Sequence, residues 1–387
     1  MKWVDSTLGE LIEEDGGQLQ TGPFGSQLHQ ADYQPEGIPV IMPKDIADGH
    51  VSVESVARVS EETANRLARH RLRARSIVLP RRGEITKRAF IRPEQQGWLC
   101  GTGCLKIELT GKEVVPEFLY YFMEQCHVVR WLEQHAVGTT MLNLSAGIVG
   151  DLPIRYPAVQ TQRRISDILS AYDDLIEYNR RRMALLEKAA RLLYEEWFVR
   201  LRFLGHERTR LVGGMPEGFE RKHLGDLLTL KRGYDLPGSD RVDGEFPVVS
   251  SSGITGFHGE KKAIAPGVVT GRYGTLGEVY FIQQDYWPLN TSLYVSDFKG
   301  NRPSFAAHLL KNALAGVQSD KAAVPGLNRN VAHQLPVLYP PRVLRDQFAG
   351  FADLSYRQQH LLETSNQKLK AARDLLLPRL MSGEVAV

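Results

Sequence analysis

Cysteine is scarce in this chain: Cys100, Cys104 and Cys126 are the only three among 387 residues. So small and odd a set cannot staple a protein of this length, and it points to a reducing, cytoplasmic setting. No run of 18 or more apolar residues occurs, so no membrane span is expected. The opening Met1-Lys2-Trp3-Val4-Asp5 has no apolar stretch of the kind a secretory signal needs.

Signatures of chemistry are missing too. There is no G-x-x-x-x-G-K-[ST] phosphate loop, no H-E-x-x-H and no G-x-S-x-G. Gly271-x-x-Gly274-x-x-Gly277 is followed by no long helix, so it is not a dinucleotide fingerprint. Tyr339-Pro340-Pro341 lacks the leading Asn of the tetrapeptide with which amino-methylating enzymes hold a flipped base. Asp240 with Glu260-Lys261-Lys262 fits a nuclease pattern too loose to carry weight. Cys100, Cys104 and Cys126-His127 have no second paired spacing, and their apolar neighbours favour buried thiols over a metal site. No catalytic residue, metal ligand or cofactor is assigned to this chain.

What is present begins with charge. The net value of +3 is modest, but between Arg66 and Arg92 ten Lys/Arg face one acid, Glu84. Such a local excess suits a polyanion; it also suits a solvated helix face beside a basic hairpin.

The chain also repeats itself. Thr7-Leu8-Gly9-Glu10-Leu11 is matched by His223-Leu224-Gly225-Asp226-Leu227, and Arg82-Gly83-Glu84 by Tyr273-Gly274-Thr275. Thr102 to Ile107 is matched by Asn290 to Val295, Pro116-Glu117-Phe118 by Pro303-Ser304-Phe305, Leu142-Asn143 by Leu327-Asn328, and Leu152 to Pro157 by Leu335 to Pro340. Each match is short; their shared order carries the argument. The interiors between the matches diverge.

Each repeat runs into a long helix. Val159 to Phe198 contains no Gly or Pro. Its apolar positions Ile165, Leu169, Tyr172, Ile176, Met183, Leu186, Ala190, Leu193 and Trp197 step by four and three, with Asn179 in the one polar slot. Forty residues make a helix about 60 Å long. A second helix is expected from about Val343 to Leu377, ending at Pro378. It is the natural antiparallel partner of the first, and Asn179 either fixes the register of the pair or points to solvent. Gly205 to Glu220, with Gly213-Gly214-Met215-Pro216, reads as a turn-rich linker.

Within the first unit, Gly37 to Met42 and Ser76 to Pro80 read as strands, Ala89-Phe90-Ile91 as a returning strand, and Ser60 to Arg75 as a basic helix capped by Ser60. In the second, Gly267 to Thr270 and Gly277 to Ile282 read as strands around a tight turn. The fold class is α+β. Tyr234 and Tyr273 are open to two readings, stacking near a nucleic acid or core packing.

Four segments carry a family likeness. They are Gly22-Pro23-Phe24-Gly25-Ser26 with Gly37 to Val40 and Lys44-Asp45-Ile46; Met215 to Phe219 with Leu224 to Leu227; Leu152 to Pro157 with Gln162-Arg163-Arg164-Ile165; and Leu375 to Glu384. Phe219 stands where Trp is common, and Thr161 where Glu is usual. Together they make the chain resemble, over nearly its whole length, the specificity subunit of type I restriction–modification systems.

That resemblance implies two pseudo-repeated mixed α/β target recognition domains joined by two long antiparallel coiled-coil helices. The expected boundaries are recognition domain 1–158, central helix 159–204, linker 205–219, recognition domain 220–341 and C-terminal helix 342–387. It implies double-stranded DNA as ligand, one half of a bipartite asymmetric target for each domain, and helices that set the spacer. It implies two methylation subunits and further restriction subunits as partners, with S-adenosylmethionine and ATP bound on those partners and no membrane involved. The expected DNA contacts are Lys44, Arg81, Arg82, Lys87 and Arg88 in the first domain, and Lys231, Arg232, Arg272 and Tyr273 in the second. The rival readings are a coiled-coil scaffold or adaptor that does not touch DNA and a stand-alone DNA-modifying enzyme.

Overall fold

The computed structural model describes residues 3–47, 49–53, 56–138, 142–272, 277–315 and 326–387. The chain divides into two compact units, Met1–Ile176 with Lys368–Val387, and Glu177–Gln367. The long helices therefore do not stand apart as segments of their own: each is shared out between the units.

The first unit opens with Val4–Thr7, paired antiparallel with Pro153–Tyr156. Thr7 then caps the helix Leu8–Asp15 through a reciprocal box, in which Glu10 N donates to the Thr7 hydroxyl and Thr7 N to the Glu10 carboxylate. The main sheet has the order Gln18–Thr21, Cys104–Glu108, Ile77–Pro80, Ala89–Phe90, all antiparallel. Every residue of its two central strands is buried. They are apolar throughout rather than alternating, because both faces are covered. Lys106 and Glu108 are the exceptions, paired with each other at 3.0 Å. A second sheet runs Leu99–Cys100, Ile38–Ile41, Ala57–Val59, Tyr33–Gln34, and its first pair is parallel. The core includes Leu8, Leu11, Phe118 and Leu144 with Ile165 and Leu169 of one long helix and Leu377 and Leu380 of the other.

The second unit repeats this plan. Glu220–His223 pairs with Pro336–Tyr339 and leads into the helix Leu224–Leu227. The main sheet runs Thr229–Arg232, Ser292–Asp297, Gly267–Gly271, Val279–Ile282, again antiparallel. The second sheet runs Gly253–His258, Phe246–Ser250, Trp287–Pro288, with the last strand parallel to its neighbour. The fold is α+β, with one frame used twice.

The long helices are Val159–Tyr194, extended by a π-helical turn over Glu195–Val199, and Arg342–Met381. Within the second unit they run antiparallel: Asn179 faces Asn366, Leu186 faces Ser355, and Tyr194 packs on Phe348. Ile165, Leu169, Ile176, Asn179 and Ala190 are buried, and Tyr172, Met183, Leu186, Leu193 and Trp197 are half-buried. At the end of the first helix the buried positions are Tyr194 and Phe198, which leaves Trp197 at the seam's edge. Asn179 Nδ2 donates to Asn366 Oδ1 at 2.8 Å inside the seam.

Four local expectations change. The helix after Ser60 spans only Glu61–Arg66, followed by the 3-10 turn Ala68–His70. Arg71 to Arg75 is drawn off it because Leu72 N bonds to Trp98 O and its side chain is buried. Pro378 does not end the second long helix, which continues to Met381. Pro378 falls in the last turn, and burial of Leu377, Leu380 and Met381 offsets one missing backbone bond. The 205–219 segment holds a hairpin, Leu211–Val212 with Met215–Pro216, turned by Gly213 and Gly214 at positive φ. Finally, Leu327 matches Leu144, not Leu142: Leu144 N bonds to Arg81 O and Leu327 N to Arg272 O, and Ser145 and Asn328 cap the helices that follow.

Candidate nucleic-acid interface

The basic cluster in the first unit is largely neutralised by acids distant in sequence. Arg66 meets Asp32 at 2.9 Å, Arg71 meets Glu61 at 2.6 Å, Arg75 meets Glu117 at 2.7 Å, and Arg92 meets Asp174 at 3.3 Å. Lys87 is tied to Glu84 at 2.6 Å, and exposed Arg73 lies 3.9 Å from Glu108. Arg88 is no surface cation. Its side chain is 11% exposed, bonded to Glu124 at 2.9 Å and seated over the Tyr120 ring, and burial pulls its guanidinium down to about 10. The expectation that Arg88 meets DNA is therefore withdrawn: the residue holds the interior together. Among the described residues, Arg69, Arg81 and Arg82 are the members of the cluster with no carboxylate in ion-pair range.

Arg81 sits at the end of Ile77–Pro80. Its N–H donates to Gly103 O at 2.8 Å, its carbonyl accepts from Leu144 N at 2.8 Å, and its guanidinium lies 5.9 Å from the Phe24 ring centre and 3.4 Å from Asn143 Oδ1. Arg82 is exposed and pairs through its backbone with Asn143. Lys44 is exposed on the short turn Pro43–Asp45.

In the second unit Arg272 ends Gly267–Gly271. Its N–H donates to Thr291 O at 3.0 Å, and its carbonyl accepts from Leu327 N at 2.8 Å. Tyr273 lies outside the described residues. Lys231 lies 5.5 Å from the ring centre of Tyr234, and Arg232 lies 3.7 Å from Asp235. Tyr234 and Tyr294 hydroxyls meet at 3.1 Å. The hydrogen bond from Tyr294 holds the Tyr234 hydroxyl below its usual value, while burial raises that of Tyr294. Beside them Lys262 lies 4.8 Å over the Trp287 ring, and His258 packs edge-on to the same indole. In the sequence Trp287 lies in no recognisable motif, Lys262 falls only in the loose nuclease pattern, and Asn143 only in the repeat. Phe24, 56% exposed, had a signal in the glycines that flank it.

Among the described residues no group of three or more His, Cys, Asp or Glu is placed to hold a metal. Cys100 and Cys104 are buried, and burial pushes the Cys100 thiol up to about 12. Among the described residues no helix is long and apolar enough to cross a membrane.

Residues 1–188 match the family profile described as type I restriction modification DNA specificity domain. That match covers just under half of the chain, and it is this part that is similar to the family. Over 128 residues it is 32% identical to the Type I restriction enzyme MjaIX specificity subunit of Methanocaldococcus jannaschii, which is 32% of this chain and 30% of that protein. Over 112 residues it is 28% identical to the HindI specificity subunit of Haemophilus influenzae, or 28% of this chain and 24% of that one. The matched stretches thus span under a third of these relatives' own length. The crystal structure of a type I restriction–modification S subunit from M. genitalium has the same fold, with a TM-score of 0.58 at 19% identity over 98% of this chain and 96% of that one. The likeness of fold therefore extends beyond residue 188, over the second unit as well.

Proposed function

We propose that this chain is the DNA-reading subunit of a type I restriction–modification complex. It binds double-stranded DNA at a bipartite, asymmetric target, one half-site to each unit. The observation that carries this reading is one frame used twice with different side chains at matching edges: an arginine-rich edge in the first unit, a lysine–tyrosine–tryptophan edge in the second. A scaffold has no need of two unlike copies of one reader.

Lys44, Arg81, Arg82, Lys87, Lys231, Arg232, Arg272 and Tyr273 are the DNA contacts in this reading. The two helices set the number of base pairs between the half-sites and dock two methylation subunits. An outward apolar stripe supports the docking role: Tyr178, Leu185, Leu192 and Val199 in the second unit, and Ile168 and Leu175 in the first, are exposed at seven-residue intervals. That is the spacing of a second seam on a helix whose first seam is occupied. Restriction subunits join the same complex, S-adenosylmethionine and ATP bind on the partners, and this chain performs no catalysis.

The test is binding of the full chain to random-sequence duplex across a salt series. A steep loss of affinity with salt supports phosphate contact. No binding at low salt, with co-purified methylation subunits present, favours the scaffold.

A further inference from the structure

In the second unit a cluster of lysines and aromatic rings forms between the two sheets. Lys231 lies on Thr229–Arg232, at the edge of the main sheet, and Trp287 on Trp287–Pro288 of the second sheet. Tyr234 stands between them. Its N–H donates to Pro288 O at 2.8 Å and its carbonyl accepts from Asn290 N at 2.9 Å. Its ring centre lies 6.2 Å from that of Tyr294 in one sheet and 6.3 Å from that of Trp287 in the other. Lys262 N donates to Tyr286 O at 3.0 Å, which sets Lys262 beside Trp287. Both lysines are exposed, and each rests on a ring: Lys231 Nζ is 5.5 Å from the Tyr234 centre and Lys262 Nζ is 4.8 Å from that of Trp287.

The Tyr234 hydroxyl links these parts. Lys231 Nζ donates to it at 3.4 Å. Buried Tyr294 has an O–H that needs an acceptor, and the Tyr234 oxygen lies 3.1 Å away. With its oxygen accepting twice, Tyr234 has its own proton left for a further acceptor. The bond from Tyr294, and after it the charges of Lys231 and Lys262, hold that hydroxyl below its usual value. A donor polarised in this way donates more strongly. Lys261, next along the chain, differs: its ammonium is paired with Asp285. Two point charges and one polarised hydroxyl suit a compact oxyanion better than the planar edge of a base. We propose that Lys231, Lys262 and the Tyr234 hydroxyl together hold one backbone phosphate of the DNA bound by the second unit. This rests on the DNA-reading function proposed above. Such a contact sets where the unit stands on the duplex and carries no base identity.

The experiment measures binding of the full chain, with co-purified methylation subunits, to duplexes of unrelated sequence across a salt series. If the wild type shows no salt-dependent binding, the DNA-reading function fails and this inference falls with it. If it binds, Lys262→Met, which keeps a stem on Trp287, is expected to weaken binding to every duplex by the same factor. It is also expected to lower the slope of log affinity against log salt by about one. Lys231→Met is expected to do the same. The double variant is expected to lower the slope by about one rather than about two, because a single phosphate contact is lost. Lys262→Arg is expected to restore the slope, which no folding defect in the methionine variant would allow. Tyr234→Phe keeps the ring and both charges, so weaker binding at an unchanged slope is expected. Lys261→Met is expected to keep the wild-type affinity and slope. With the wild type binding, the inference alone is overturned if Lys262→Met matches it in affinity and slope, or if the loss depends on duplex sequence, which marks base reading. It is equally overturned if the double variant loses about two in slope, which marks two separate phosphates, or if Lys261→Met loses as much as Lys262→Met, which marks net charge alone.

Discussion

The two units fasten a sheet-containing body to the long helices with different side chains. In the first, Arg373 is ion-paired to Asp173 and, at 3.8 Å, faces Glu124, which in turn holds Arg88; Tyr121 donates to Asp173 at 2.7 Å. In the second, the same neighbourhood is aromatic. Tyr194, Phe198, Phe305 and Phe348 meet with ring centres 5.1 to 6.3 Å apart, and buried His308 lies among them. Both units bury apolar area against the helices; the first adds charges that must be desolvated, and the second adds a cluster of rings. The frame therefore dictates where the contact is made and leaves the kind of contact open.

The sharpest way to break this contrast is a pair of truncations. Phe348→Ala should cost about 3–5 kcal/mol of stability, as for a fully buried ring. Arg373→Ala should cost a similar about 3–5 kcal/mol, because it strips Asp173 of its cation inside the packed network. The two should part on rescue. Arg373→Met combined with Asp173→Leu should recover most of the loss in urea unfolding, whereas Phe348→Ala has no such partner. A cost below about 1 kcal/mol for Arg373→Ala would place the network with ordinary surface pairs.

Acid offers the next largest effect. Burial holds His308 at about 4, and burial likewise holds His70 of the first unit at about 4. Unfolded, each takes up a proton near 6.5, so stability is complete above that pH and falls as pH drops toward 4. For His308 the loss amounts to roughly 3 kcal/mol. Urea midpoints measured from pH 7 to pH 4 should show a slope that His308→Gln and His70→Gln each reduce; an unchanged slope in either variant removes that histidine from the account.

Gly22 N donates to Cys104 O and Gly233 N to Ser292 O at matching crossings of the chain, and Gly22→Ala and Gly233→Ala test whether that crossing is equally tight in both units. Each should lower stability by about 1–3 kcal/mol in thermal melting; a neutral result at one of them would mean that its crossing can relax. The smallest expected change is a gain. Replacing Asn179 and Asn366 together by Leu should stabilise the helix pair by about 1 kcal/mol, at the expense of register. A loss of stability would show that the amide pair does more than align the helices.

The parts legible in the sequence were those governed by local periodicity. The four-and-three stepping from Ile165 marked the seam, and the recurring Leu-Gly-acid-Leu and Leu-Pro segments marked the frame. What escaped depended on residues far away along the chain. The Arg66–Arg92 cluster looked unopposed because Asp32, Glu108, Glu117, Glu124 and Asp174 lie tens of residues from their partners. The helix after Ser60 looked longer than it is because the pull of Trp98 on Leu72 has no local trace. Leu142-Asn143 resembles Leu327-Asn328 by letter alone, whereas in the fold it is Leu144 that corresponds to Leu327, each leucine N–H reaching an arginine carbonyl.

The division of the chain also bears on how it is made. Glu177–Gln367 is a continuous stretch, whereas the first unit needs Lys368–Val387 to complete it. On the ribosome, all residues of the second unit are therefore translated before Leu377, Leu380 and Met381, which close the first unit's core. The N-terminal body is begun first and sealed last. A nascent chain stalled near residue 370 would already hold every residue of the second unit, with the first still open.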